Sequence, residues 1–178
     1  MKKDLEILIV DDDSAHRMML KKLLGGWGYR VAEADDGAAA VEVVGRRSFD
    51  LILMDIRMIR VSGIEAMEQI KKVSPAIPVI IMTAYASVET AVSALKKGAY
   101  DYIREDYDPA TREIIPKRYF SGGVHLAEGI NNKITRKPLS RNLSNIIKKG
   151  IKGAIILVTT LLINSAAAGN DANAIIQA

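Results

Sequence analysis

ILIVDDDSAHR, residues 7–17, runs four aliphatic residues straight into three consecutive aspartates. A short aliphatic run bounded by acid marks a strand buried on both faces, and such strands belong to parallel sheets. Three adjacent carboxylates repel one another and resist ionising, so the cluster calls for a cation or another specific reason. FDLILMD, residues 49–55, repeats the pattern, with an aliphatic strand running into Asp55.

Working outward, residues 29–34 form a second, weaker strand, residues 78–82 (PVIIM) a fourth and residues 100–103 a fifth. Helical signals fall between them. Ser14 can cap a helix with Ala15, Met18, Met19 and Leu23 on one face, ended by Gly25-Gly26. Asp36-Gly37 opens a helix carrying Ala40, Val41 and Val44. Gly63 opens one carrying Ile64, Met67 and Ile70, which Pro75 and Pro78 stop. Residues 87–97 make a fourth, closed by Gly98. Regular alternation of strand and helix predicts an α/β fold: a doubly wound, five-stranded parallel sheet with helices on both faces. Ligands of such sheets bind beyond the carboxyl ends of the strands, where Asp11, Asp12, Asp55 and Thr83 fall.

The 178 residues allow one domain and a second small one. Hydrophobic content of 49 % and charged content of 26 % suit a soluble globular chain. Cysteine is absent, which excludes disulfides and thiolate metal sites. The start, MKKDLEILIVDDD, has too few apolar residues before acid for a secretory signal. The net charge of +4 is unevenly shared: residues 1–103 hold 14 Lys+Arg against 15 Asp+Glu, and residues 104–178 hold 11 against 6. All seven methionines precede residue 104 and all seven asparagines follow it. The expected organisation is therefore one domain over 1–103 and a segment of different character over 104–178, as if separate, fused or shifted.

Asp11, Asp12 and Asp55 would gather three carboxylates on one rim. Hard oxygen ligands with few protein contacts suit Mg²⁺, which offsets the repulsion and neutralises an incoming phosphoryl group. A carboxylate can itself act as nucleophile, and Asp55, after the most apolar strand, is the candidate. Thr83 could donate its hydroxyl to a phosphoryl oxygen. Asp13 is expected to be an ordinary cap, His16 a solvated helix-flank residue, and Met18-Met19 core filler.

VDDD, LILMDIRM, VIIMTAYAS and KKGAYDYI, in that order, resemble the receiver domain of bacterial two-component response regulators; residues 78–103 are most similar to the nitrogen-regulation type. The resemblance covers residues 5–103. It implies a flavodoxin-like fold in which Asp11 and Asp12 bind Mg²⁺, Asp55 accepts the phosphoryl group and the backbone carbonyl of Arg57 joins the metal. It also implies Thr83 as the switch hydroxyl with the small Ala84 after it, and Tyr102 as an aromatic rotamer switch. From the residues alone, Tyr102 is equally a strand aromatic half-buried against a helix. Cytoplasmic signalling follows, with a histidine kinase or phosphotransfer protein as partner. The chemistry is that of a phosphoacceptor, at most self-phosphorylation and autodephosphorylation, not a conventional enzyme.

Two positions depart from the family. Met58-Ile59-Arg60 replaces the usual Met-Pro-Gly, losing a rigid turn residue. Glu105-Asp106 stands where the family has Lys-Pro, so a carboxylate takes the place of the lysine that reaches the phosphoryl group. Lys137-Pro138-Leu139 offers the motif far downstream, as a coincidence or a displaced copy.

The remaining residues carry weaker signals. Pro109 could sit in the first turn of a helix over residues 110–115. Residues 130–152 are basic and fit either a phosphate-facing surface or a solvated face, without a helix-turn-helix motif. Residues 154–163 (AIILVTTLLI) are uncharged but too short for a membrane span; a buried strand or helix, or an oligomer contact, is the expected use. Two rivals to the receiver reading follow. One is a degenerate or chimaeric scaffold that binds or self-associates through its C-terminal segment. The other is a transcription regulator with an atypical basic DNA-binding tail.

Overall fold

The computed structural model describes residues 5–83, 88–104, 106–108 and 113–115. Five strands, β1 (Glu6–Val10), β2 (Arg30–Ala34), β3 (Leu51–Asp55), β4 (Val79–Thr83) and β5 (Asp101–Arg104), form one parallel sheet in the order β2-β1-β3-β4-β5. The helices α1 (Ser14–Gly26), α2 (Gly37–Arg46), α3 (Gly63–Val73) and α4 (Val88–Lys96) connect them. The alternation expected from the sequence is what forms. β1 lies between β2 and β3, so the strand order reverses there and opens a crevice at its carboxyl end.

Alternating residues of each strand feed two cores, as a period of two requires. Leu8, Val10, Ile52, Met54, Val79, Ile81 and Tyr102 pack with residues of α2, α3 and α4. Ile7, Ile9, Leu51, Leu53, Ile80, Met82 and Ile103 face the other way, with Leu20 and Leu24 of α1. Among the described residues, α1 is the one helix on that second face.

Local chemistry fixes the helix ends. Asp13, not Ser14, is the N-cap of α1; its carboxylate accepts the backbone N–H groups of Ala15 and His16. Asp36 caps α2 through the Ala39 N–H. Ser62 and Glu65 form a reciprocal capping box on α3, a signal present in the sequence as S-x-x-E. Past α1 and α4, Gly28 (φ 85°) and Gly98 (φ 105°) adopt the left-handed conformation that turns the chain toward β2 and β5.

Two expectations need correction. Met18 is 41 % exposed, not core filler, whereas Met19 packs against the α1-side core. Leu20 and Leu24, one turn apart, set the inward stripe, and Met18 lies about 200° around the helix from Leu20. Of the helix expected over residues 110–115, the described part, Glu113–Ile115, is instead strand β7, antiparallel to β6 (Asp106–Asp108) with Tyr107 opposite Ile114. Aromatic and β-branched residues at paired positions favour the ladder over a short helix after a proline.

Candidate functional site

Strand register assembles the site. Val10 pairs with Met54, so Asp11 leaves β1 beside Asp55 at the end of β3. Asp55 pairs with Met82, which brings Thr83 one step further along β4. Adjacent strands lie about 5 Å apart, so side chains at neighbouring strand ends come within reach of one cation. Asp11, Asp12 and Asp55 each place a carboxylate oxygen within 4.8 Å of the other two. Asp11 is 3 % exposed and the other two are partly buried.

The loop after β3 is held from below. Ile56 donates its N–H to the Asp55 carboxylate at 2.7 Å, and Gly63 donates its own to the Ile56 carbonyl at 3.0 Å. A Cβ on Gly63 would lie 1.9 Å from the Asp55 carbonyl oxygen, so glycine alone permits this approach of α3 to the site. Arg60, in the loop that lacks the family's turn proline, reaches the Asp36 carboxylate at 3.2 Å.

Burial pushes the Asp55 carboxyl up to about 6, and the nearby Asp11 adds to the rise. The backbone N–H groups of Ile56 and Arg57 and the Thr83 hydroxyl, all donating to it, pull the other way. Desolvation and like charge thus outweigh three hydrogen bonds. A divalent cation relieves both unfavourable terms, and three carboxylate oxygens are the hard donors that Mg²⁺ takes. The donor set fits that ion.

Asp11, Asp12, Asp55 and Thr83 therefore come together at one rim. Arg57 meets Asp55 through its backbone N–H, with its side chain exposed. Tyr102 is wholly buried rather than half-buried, and its hydroxyl lies 3.3 Å from Thr90 Oγ1 on α4. Ala84 and Glu105 lie outside the described residues, as do residues 130–163 with the basic and apolar runs. The sequence reading missed His16. Instead of being solvated, its ring is 13 % exposed and its Nδ1 lies 2.6 Å from Asp11 Oδ2. The signal was available: with Asp13 as N-cap, the first turn of α1 folds back over the end of β1 and carries residue 16 with it.

The model of the response regulator receiver domain matches residues 7–113. The chain belongs to the response regulator receiver domain family. It is 54 % identical over 106 residues to the transcriptional regulatory protein ZraR of Klebsiella oxytoca, which covers 60 % of this chain and 24 % of the relative. It is 39 % identical over 102 residues to the DNA-binding transcriptional regulator NtrC of Escherichia coli K12, covering 57 % of this chain and 22 % of that one. The chain thus spans about a quarter of the length of these relatives. Among solved structures, a CheY-like receiver domain protein from Methanospirillum hungatei superposes with a TM-score of 0.57 at 34 % identity, over 61 % of this chain and 87 % of that one. The receiver domain of NtrX from Brucella abortus gives 0.53 at 33 % identity, over 57 % and 87 %. These comparisons support a receiver of two-component signalling over residues 7–113. Among the described residues, no helix is long and apolar enough to cross a membrane.

Proposed function

We propose that Asp55 accepts a phosphoryl group from a histidine kinase or phosphotransfer protein, in a site that also holds Mg²⁺. The supporting observation is the juxtaposition of three carboxylates with a hydroxyl: Asp11, Asp12 and Asp55 within 4.8 Å, and Thr83 donating to Asp55. Asp11, Asp12, Asp55 and the carbonyl of Arg57 would hold the ion. When bound, it neutralises phosphoryl charge that the carboxylates would otherwise repel.

The chain's own residues perform the transfer. An ionised Asp55 oxygen attacks phosphorus, the bond from phosphorus to the donor's imidazole nitrogen breaks, and an aspartyl phosphate forms. The N–H groups of Ile56 and Arg57 hold the carboxylate in line. Thr83, 3 % exposed at the end of β4, turns its hydroxyl from Asp55 to a phosphoryl oxygen. Its movement would pass toward α4 and β5; the Thr90–Tyr102 hydroxyl contact there supports Tyr102 as a switch residue, and Ala84 keeps its role as the small residue after the switch hydroxyl by resemblance alone. The receiver unit is read as residues 1–103, with 104–178 a separate segment, and the protein as cytoplasmic. Where relatives are named as DNA-binding regulators, DNA is a downstream target by analogy alone.

Incubating the full chain with Mg²⁺ and a small acyl phosphate, then weighing it intact, tests this. One added phosphoryl group on the wild type and none on Asp55→Asn is the expected result. No addition to the wild type, or equal addition to both, refutes it.

A further inference from the structure

The Asp11 carboxylate is engaged on both oxygens. Oδ1 accepts the Asp13 N–H at 2.8 Å, and Oδ2 meets His16 Nδ1 at 2.6 Å. Its backbone carbonyl accepts Arg17 Nη1 at 2.6 Å. His16 is itself fixed, because its backbone N–H donates to the Asp13 cap at 3.2 Å. A short run of chain, 11–17, therefore folds into linked contacts that fix the orientation of Asp11, and Arg17 ties the run to Glu33 as well. The His16 ring stands outside the three-carboxylate cluster itself, so it acts on Asp11 and not in place of it.

A carboxylate has four lone-pair sites, and these two hydrogen bonds use two of them. The others remain for a cation. Mg²⁺ demands near-octahedral geometry with short metal–oxygen distances, so a ligand free to swing binds it poorly. Partners that fix a ligand's orientation without touching the ion contribute substantially to affinity. Building on the metal site proposed above, we propose that His16 is a positioning residue for it: the imidazole Nδ1 holds Asp11 facing Asp12 and Asp55.

The test titrates the full chain with Mn²⁺, following the electron paramagnetic resonance of the free ion, and with Mg²⁺ by competition. Wild type, His16→Ala and His16→Asn are compared. The asparagine amide nitrogen occupies the place of Nδ1 and can donate to Asp11, which alanine cannot. His16→Ala should weaken binding of both ions by about 10-fold or more, and His16→Asn should restore most of the loss. Alanine, which strips a partner from the buried Asp11 carboxylate, should lower the metal-free melting temperature modestly, so binding is compared at a temperature where all three proteins are folded. Unchanged or tighter binding by His16→Ala overturns the proposal, because His16 would then be idle or a competitor of the ion. Loss without rescue by asparagine also overturns it. Absence of binding by the wild type overturns the metal site itself, an outcome distinct from both.

Discussion

Replacing Asp55 with asparagine should stabilise the metal-free protein at neutral pH. The folded-state value for Asp55 is about 6 against an ordinary 3.8, and each unit corresponds to about 1.4 kcal/mol. A carboxyl with a raised folded value favours folding in its protonated form. The contribution of Asp55 to stability is therefore greatest below about pH 4, falls as pH rises toward 6, and levels off above. At pH 7 the ionised group costs at most ~3 kcal/mol, and near pH 5 about half of that. Asparagine removes the charge, keeps an oxygen to accept the Ile56 N–H, and frees Asp11 from its neighbour. Urea denaturation of both proteins at pH 4, 5 and 7, with a chelator present, reads the difference directly. The gap should shrink to about 0.6 kcal/mol at pH 4 and be widest at pH 7. Equal stability at pH 7, or a gap as large at pH 4 as at pH 7, would refute burial and like charge as the cause.

Two further outcomes follow from the same site. Gly63→Ala drives a methyl group into the Asp55 carbonyl and should cost about 2–3 kcal/mol by thermal melting; a change under ~0.5 kcal/mol would show that the loop yields freely. Glu105→Lys restores the family's cation and should speed phosphorylation by an acyl phosphate; an unchanged rate would mean that residue 105 does not reach the phosphoryl group.

The sheet was legible because its strands are aliphatic runs, which few other structures bury so completely. The acidic rim was legible because Asp11 and Asp55 each end such a run, and strand order then sets them side by side. What escaped depended on angles that a period count leaves open. Met18 looked equivalent to Met19 until Leu20 and Leu24 fixed which side of α1 faces inward. His16 looked solvated because its partner, Asp11, lies just past the preceding strand and not on its own helix. Tyr102 carries a polar tip that suggests partial exposure, yet Thr90 on α4 meets that hydroxyl inside the core. Beyond Arg104 the proline at 109 suggested a helix start, whereas residues 113–115 pair as a strand with 106–108.

Among the described residues, one helix lies on the second face of the sheet, and that bears on how the protein is handled. Leu51, Leu53, Ile80, Met82 and Ile103 share a face with α1, and that helix is wide enough to shelter about two strands. Leu20 and Leu24 are thus the described cover of that face, and trimming either would bare aliphatic strand to water. Such a loss would show itself as clumping before it showed as unfolding.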